Sequence, residues 1–164
     1  MNVLRVNSGT KIQETKREWQ QVTPGESFLI RTFTEDTMGA YTTLEFVADH
    51  LNGVPMHINQ NEDEHFIVLE GTAHVVCGER RWDAAAGSTF TVGRGVPHAW
   101  CNLSETHLRM LVTFAPGRIE GMFRAIAKGG KIDPAAIAQQ FGTRIVGPTL
   151  FEDIHWINSP RRGS

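Results

Sequence analysis

Short runs of aromatic and β-branched residues, separated by glycine-rich polar turns, recur along the middle of the chain. Within these runs, hydrophobic and polar positions alternate with the period of two that is typical of half-buried strands. The pattern predicts about eight short strands. Many short strands joined by tight turns favour a barrel or jelly roll over a helical or parallel-sheet protein. The clearest runs are residues 28–33, 41–48, 72–77, 89–92, 98–101 and 107–114.

The segment after residue 71 is typical of a β-hairpin. Residues 72–77 form one hydrophobic run, a glycine supplies the turn, and residues 79–83 form the returning strand. We expect Val76 and Trp82 to point inward from this hairpin. His74 has no carboxylate or histidine at metal-ligand spacing, so we interpret it as an ordinary strand residue.

The hydrophobic period changes from two to about three and a half beyond Pro116-Gly117. Apolar residues at i, i+3, i+4 and i+7 then form one stripe of an amphipathic helix: Ile119, Met122, Phe123 and Ile126. Asp133 as N-cap and Pro134 at the first helical position predict a second short helix. We expect the helices to cover an outer face of the barrel, with a partner-binding groove as the alternative for the apolar stripe.

The polar side chains that suggest chemistry stand in three short runs with strand character. His57 and Asn59 alternate on one strand and therefore point to the same side. Glu64 opens the next run, so a hairpin between the two runs would bring its carboxylate over His57. His98 opens a later strand. Two neutral imidazoles and one carboxylate on one face are the ligand set of non-haem iron(II) oxygenases, with coordination positions left open.

These segments resemble the paired motifs of the cupins. Cupins are small β-barrels whose first motif supplies His, His and Glu to a metal and whose second motif supplies one more His. The resemblance covers about residues 28–115 and implies an all-β, cupin-type jelly-roll β-barrel with two C-terminal helices and an N-terminal arm. It rests on six residues with cupin spacing: Glu64, Gly71, Gly87, Gly95, His98 and Asn102.

Three positions depart from the cupin pattern. Three residues separate Gly53 from His57, where the family has five residues between the glycine and the histidine, which suggests a different turn. Gly93 takes the place of a proline in the second motif. The largest departure is Asn59, which stands where the second histidine of the first motif is expected.

The resemblance implies one divalent transition metal ion (iron, manganese, nickel, zinc or copper) bound by His57, Asn59, Glu64 and His98. The residues also fit a three-ligand site in which Asn59 orients water or substrate, or a site that has lost its metal. Glu64 could act as the catalytic base and also bind the metal. Glu62 and Asp63 are alternative ligands, but the spacing to the following glycine favours Glu64, and we interpret these two as solvated turn acids.

The hydrophobic composition predicts a mostly apolar cavity suited to an aromatic or otherwise flat organic molecule. Candidate substrate-binding residues are Phe46, Met56, Phe66, Trp100 and Met110. Arg109 could contact an acid group of the substrate or lie outward as a strand charge. Similarity to quercetin dioxygenase-like cupins implies a dioxygenase acting on an aromatic or enolisable substrate. A non-catalytic small-molecule-binding protein and a redox-neutral isomerase or lyase are the alternatives.

Length, charge and cysteine content narrow the class of protein. The chain has 164 residues, enough for one domain, and a formal net charge of −2. Basic residues are scattered except at Arg161-Arg162, which argues against nucleic-acid binding. No apolar run approaches the ~18 residues of a membrane span, and we expect a cytoplasmic protein. Cys77 and Cys101 offer no disulfide framework, and we interpret Cys101 as a small buried residue rather than a reactive thiol.

We divide the chain into an N-terminal arm (1–27), the barrel (28–115) and C-terminal helices with a tail (116–164). The arm should contain one strand and a turn at Pro24-Gly25. Such arms in similar proteins often cross to a second subunit, so the resemblance implies a homodimer with a small-molecule substrate as the other partner.

Overall fold

The computed structural model describes residues 17–131 and 133–151. Within these ranges the strands are β1 (Gln20–Thr23), β2 (Glu26–Thr32), β3 (Thr42–Ala48), β4 (Asn52–Gly53), β5 (Pro55–Asn59), β6 (Asp63–Glu70), β7 (Thr72–Cys77), β8 (Arg80–Ala85), β9 (Thr89–Val92), β10 (His98–Asn102), β11 (Leu108–Ala115) and β12 (Thr143–Thr149). The helices are α1 (Glu120–Ala127) and α2 (Pro134–Gln140), and a 3-10 turn spans Thr34–Thr37.

The strands form two antiparallel sheets that enclose a common interior. The first sheet has the order β1-β2-β3-β11-β6-β9 and the second has the order β12-β5-β10-β7-β8, with β4 paired to β10. Strands far apart in sequence are therefore neighbours, as where β11 lies between β3 and β6. This is the arrangement of a jelly roll, and the predicted all-β fold with two following helices is confirmed.

Side chains from alternate residues of the first sheet fill the interior. The register aligns Phe28 with Phe46, Phe46 with Met110, and Met110 with Val68. All four are at most 3% exposed, and burying each such side chain contributes about 2 kcal/mol. Because a one-residue shift in register would turn the whole row outward, this row fixes which side chains face the interior.

Helix α1 packs against the interior of the barrel rather than on an outer face. The ring centroid of Phe123 lies 5.6 Å from that of Phe28, 5.2 Å from that of Phe46 and 6.0 Å from that of Phe114. Such separations are typical of packed aromatic pairs. The expectation that this helix covers an outer face is therefore wrong, because its apolar stripe packs among inward-facing side chains of the first sheet.

Helix α2 begins as the sequence predicts. The Asp133 carboxylate accepts a hydrogen bond from the Ala135 backbone N–H at 3.1 Å, and Pro134 occupies the first turn. These contacts satisfy one N–H group that the helix itself leaves without a partner. Neither described helix is long and apolar enough to cross a membrane.

The β7–β8 hairpin is present, but one of its inward residues differs from the prediction. Val75, not Val76, pairs with Trp82, and both pack in the main core. Val76 instead lies in a second apolar cluster with Cys101 and Leu150. Residues directly opposite each other share a face while neighbours in one strand do not, so Val76 and Trp82 cannot both point inward.

The sheets extend beyond residues 28–115 on both sides. Strand β1, the Pro24-Gly25 turn and the start of β2 precede this range. After the helices, β12 pairs with β5, where Thr143 lies opposite Asn59. Residues 1–16 of the predicted arm are outside the described residues, and the homodimer stays a prediction.

Candidate metal centre and cavity

Two facing sheets bring His57, Glu64 and His98 together as the sequence predicts. His57 on β5 and His98 on β10 are direct partners in the second sheet, and Glu64 on β6 reaches them from the first. His98 Nε2 lies 2.7 Å from Glu64 Oε1, and His57 Nε2 lies 4.0 Å from the same oxygen. One ligand atom from each of the three residues lies within 4.8 Å of the others.

Backbone carbonyls hold both imidazole rings in the orientation that a metal site needs. His57 Nδ1 lies 2.8 Å from the Pro55 carbonyl oxygen, and His98 Nδ1 lies 3.0 Å from the Val96 carbonyl oxygen. An Nδ1–H that donates to a carbonyl leaves Nε2 with its lone pair, which is the arrangement in most metal-binding histidines. Both Nε2 atoms therefore present a lone pair towards Glu64.

The Nε2 atom of His98 is buried and has no hydrogen-bond partner among the described residues. Glu64 Oε1 lies only 2.7 Å from this nitrogen. A nitrogen lone pair and a carboxylate oxygen this close are stable together when a proton or a metal cation lies between them. The donor set and its geometry therefore fit a divalent transition metal ion.

The two histidines differ in how readily they bind a proton. Burial and the neighbouring His98 lower the pKa of His57 to about 4, so its ring is neutral at physiological pH. Burial also acts to lower the pKa of His98, but contact with the Glu64 carboxylate outweighs burial and raises this pKa. A metal ion would compete with that proton, because imidazole binds metal only in its neutral form.

Asn59 is oriented to hold Glu64 rather than to bind a metal through its oxygen. Its amide Nδ2 donates a hydrogen bond to Glu64 Oε1. Its Oδ1 accepts a hydrogen bond from the Thr143 hydroxyl at 2.6 Å. This role differs from the stated alternatives, in which Asn59 binds the metal, orients water or substrate, or marks a lost site. Sequence reasoning missed Thr143, because only the pairing of β12 with β5 brings it to the site.

The two acids before Glu64 have different environments, and one expectation about them is wrong. Asp63 is in an exposed ion pair with Arg94 at 2.8 Å, as suits a turn acid. Glu62 is only 3% exposed, and its Oε2 has no hydrogen-bond partner among the described residues. Burial and the nearby Glu64 charge raise the pKa of Glu62 to about 7. Glu62 is thus not a solvated acid, because the turn folds it inward.

An apolar cavity of about 190 Å³ adjoins the histidine and carboxylate cluster. His57, Asn59 and Glu64 form part of its wall. The predicted residues Phe46, Phe66 and Trp100 also line it. Sequence reasoning missed the contribution of α1, whose whole stripe reaches the cavity: Ile119, Met122, Phe123 and Ile126.

Three predicted substrate-binding residues do not line this cavity. Met56 neighbours His57 in β5, so it points to the opposite face and packs with Val76 and Cys101. Met110 faces inward but is 0% exposed, enclosed in the core. The outward interpretation of Arg109 is the correct one, because its guanidinium binds the carboxylates on the outer side of the sheet.

The remaining cysteine and histidine interpretations agree with the structure. Cys77 and Cys101 are both free. Cys101 is buried, and burial raises the pKa of its thiol to about 12, which makes it unreactive at physiological pH. His74 lies opposite Asp83 and its Nδ1 contacts that carboxylate, so it is an ordinary strand residue in a cross-strand contact.

Comparison with known protein families identifies the central part of the barrel. Residues 45–114 match the family described as Cupin domain. The barrel has the cupin fold, and this central part of it is similar to the cupin family. Its first motif places His57 and Glu64, and its second places His98, in the contacts described above.

Several solved structures share the cupin fold. KdgF from a Halomonas species is 19% identical, with 63% of this chain and 90% of KdgF covered and a TM-score of 0.57. An RmlC-like cupin from Shewanella frigidimarina is 20% identical, with 65% and 89% covered and a TM-score of 0.57. The polyketide cyclase RemF from Streptomyces resistomycificus is 19% identical, with 66% and 80% covered and a TM-score of 0.54.

At this level of identity the cupin similarities establish the fold alone. No curated protein sequence matches this chain. The comparisons therefore support a cupin fold around a His, Glu and His group that can hold a metal ion, and they do not single out the quercetin dioxygenase-like cupins.

The glycine of the first cupin motif has a steric reason in this chain. Gly53 belongs to β4, which pairs with β10 at Cys101. A Cβ atom on Gly53 would lie 2.3 Å from the Trp100 carbonyl oxygen, too close for any side chain. The close approach of β4 to β10 explains why position 53 is a glycine.

Proposed function

We propose that this chain is a metal-dependent cupin enzyme acting on a small, mainly apolar organic substrate. The leading reaction class is dioxygenase chemistry, like that of the quercetinases, on an aromatic or enolisable compound. One observation carries the proposal: two histidine Nε2 atoms and one carboxylate converge at an apolar cavity. Such a cavity with a few convergent polar groups is the usual form of a small-molecule site.

The residues around the cluster would have distinct roles. His57, Glu64 and His98 would hold a divalent transition metal, which supplies Lewis acidity and, if redox-active, reactivity with dioxygen. The Asn59 amide, itself fixed by Thr143, orients the Glu64 carboxylate. Glu64 could then accept a proton from an enolisable substrate held against it, while the apolar wall excludes water.

The size of the cavity favours a small substrate. Its volume of about 190 Å³ lies below the ~300–1,000 Å³ of pockets for drug-sized ligands. Aromatic side chains from both sheets, with Phe123 from α1, form much of its wall. We therefore expect a compound with one aromatic ring or a similar flat group rather than a large polycyclic molecule.

Two other functions have an observation in their favour. Asn59 stands where a histidine ligand is expected, and its hydrogen bond occupies one lone pair of Glu64. Both features favour a small-molecule-binding protein without turnover. The structural similarity to a polyketide cyclase suggests chemistry that needs no dioxygen, in line with an isomerase or lyase.

Metal analysis of protein purified without chelators tests the proposal first. We expect near-stoichiometric transition metal in the wild-type protein and its loss in His98→Ala. The control is His65→Ala, since His65 follows Glu64 in sequence but lies exposed beside Thr91. This variant should keep its metal. Wild-type protein that neither contains nor takes up a transition metal would contradict the proposal.

Oxygen uptake by the metal-loaded protein separates the three functions. Consumption of dioxygen with small phenols or 1,3-diketones, lost in Glu64→Gln, would support the dioxygenase. Binding of such compounds without oxygen uptake or product would support the binding protein. Conversion without oxygen uptake would support the isomerase or lyase.

A further inference from the structure

Glu26 is a buried carboxyl group in the wall of the cavity. It opens β2, is only 3% exposed and pairs with the cavity residue Thr23. It makes no hydrogen bond or ion pair with any residue in the described ranges. Burial raises the pKa of Glu26 to about 7, so the carboxyl group is partly protonated at physiological pH.

An unpaired carboxyl group in such a place is costly for the protein. Buried polar groups normally have a hydrogen-bond partner, and a buried charge without one destabilises the fold. Glu120, also buried, shows the usual solution, because it accepts hydrogen bonds from the Thr34 N–H at 2.8 Å and the Thr34 hydroxyl at 2.5 Å. Glu26 has kept its hydrogen-bonding capacity free on the cavity side.

Strand register places Glu26 and Glu64 at opposite ends of the first sheet. Glu26 pairs with Ala48 and Ala48 pairs with Leu108, whereas Glu64 pairs with Phe114, six residues further along β11. Both carboxyl groups line the cavity, and apolar side chains make up most of the wall between them. The cavity therefore has hydrogen-bonding groups at two ends and an apolar middle.

We propose that Glu26 is a substrate-binding residue that accepts a hydrogen bond from a hydroxyl or ammonium group at one end of the substrate. The aromatic or aliphatic body of the substrate occupies the apolar middle, and its other end reaches His57, Glu64 and His98. The inference rests on the proposed function in one respect only, which is that this cavity is the substrate pocket.

The same geometry excludes one class of substrate end group. A carboxylate, phosphate or sulfate near Glu26 would face either a like charge or a single weak donor in an apolar wall. No lysine or arginine of the described residues lines the cavity to compensate. The pocket should therefore select donors over anions at the Glu26 end.

Four probes of one scaffold test this selectivity on chelator-treated, metal-free protein. Butylbenzene, 3-phenylpropan-1-ol and 3-phenylpropan-1-amine have similar size and shape but end in a methyl, hydroxyl or ammonium group, and 3-phenylpropanoate ends in an anion. NMR titration gives the Kd of each. We expect the alcohol and the amine to bind the wild-type protein roughly tenfold tighter than butylbenzene, which is the effect of one charge-assisted hydrogen bond. The anion should bind most weakly.

Two variants at Glu26 and one control identify the group responsible. Glu26→Leu should remove the preference for the alcohol and the amine while butylbenzene binds as well as before. Glu26→Gln should keep the preference for the alcohol and lose that for the amine. The control is Thr23→Val, since Thr23 pairs with Glu26 and also lines the cavity. This variant should keep the wild-type order.

Several results would overturn the inference. These are failure of the alcohol and the amine to bind the wild-type protein, an unchanged preference in Glu26→Leu, or a preference that disappears in Thr23→Val instead. Glu26→Leu that is less stable than the wild type would also overturn it, because Glu26 would then have a structural partner.

Failure of this inference can be distinguished from failure of the proposed metal chemistry. A wild-type protein that takes up no metal but prefers the alcohol and the amine through Glu26 would refute the enzyme and retain the binding site. A protein whose metal depends on His98 but whose Glu26→Leu variant keeps the wild-type binding order would retain the metal site and refute the role of Glu26.

Discussion

The two faces of the first sheet hold buried carboxylates in opposite ways. On the outer face, Glu45 is 1% exposed and its oxygens are bound by Arg31, with Nε at 2.5 Å, and by Arg109. On the inner face, Glu26 on the neighbouring strand is 3% exposed and has no partner among the described residues. Two similarly buried carboxylates thus have opposite effects. A paired carboxylate holds strands together, whereas one without a partner lowers the stability of the fold and is available to a ligand.

Glu64 is intermediate between these two cases. It is buried on the inner face, but its partners are the Asn59 amide and His98, not a permanent cation. Because neither partner carries a permanent positive charge, the Glu64 carboxylate remains able to bind a metal. The comparison suggests that the charge of the partners separates structural from functional carboxylates in this barrel.

The largest expected effect comes from replacing the unpaired carboxylate. The folded-state pKa of Glu26 is about 7, above its ordinary value of 4.5, so ionisation of Glu26 opposes folding. This cost is absent below pH 4.5, grows as the pH rises to 7, and then amounts to about 3 kcal/mol. Glu26→Leu should therefore be more stable than the wild type by about that amount at pH 8 and nearly equal to it at pH 4.

Urea unfolding of both proteins at pH 4 and pH 8 measures this difference directly. A gain of the same size at both pH values would show that apolar packing, not ionisation, is responsible. A loss of stability at pH 8 would mean that the inner carboxylate is paired after all, and the contrast with Glu45 would disappear.

The same substitution on the outer face should have the opposite sign. Glu45→Leu removes charge-assisted hydrogen bonds to Arg31 and Arg109, and we expect a loss of about 2 kcal/mol in the free energy of unfolding at pH 7. Equilibrium unfolding in urea provides the value. A neutral or stabilising Glu45→Leu would show that desolvation of the outer ion pairs cancels their attraction.

A smaller effect should follow from removing the hydrogen bond that fixes Asn59, the partner of Glu64. Thr143→Val removes the hydroxyl that orients Asn59, and loss of such a supporting hydrogen bond typically weakens metal affinity by about tenfold. Metal titration against a competing chelator measures the change. Thr113→Val is the matched control, because its hydroxyl pairs with Thr43 at 2.9 Å on the outer face. Equal metal affinities in the two variants would show that Thr143 does not contribute to metal binding.

The smallest effect is expected for the exposed pair at the start of β6. Arg94→Met breaks the ion pair with Asp63, but exposed pairs in physiological salt contribute little to stability. Neither the urea midpoint nor the metal content should change measurably. A clear loss of metal would show that Arg94 helps to fold the turn that buries Glu62 and positions Glu64.

Local sequence signals were sufficient for most of the elements, though not for β12, and for the identity of the metal-site candidates. Alternating hydrophobicity predicted most strands, and the capping residues Asp133 and Pro134 predicted the start of α2. The spacing of His57, Glu64 and His98 predicted a cluster that the structure brings within ligand distance. These features succeed because each depends on a few neighbouring residues and on strand or helix period.

Residues whose roles depend on pairing between distant strands were not predictable in the same way. Met56 and Val76 each point to the face opposite to the one expected, because strand parity is fixed only by register. Glu26 and Thr143 reach the cavity through β2 and β12, which are remote in sequence from both motifs. No local pattern marks either residue.

The sequence by itself determined the all-β architecture, the presence of two helices after the barrel and three side chains able to hold a metal. The tertiary structure alone decided that Asn59 orients Glu64, that α1 closes the cavity, and that Glu26 is unpaired while Glu45 is not. The physical reason is that a carboxylate's energy depends on the charges and water around it, and these are set by which strands become neighbours.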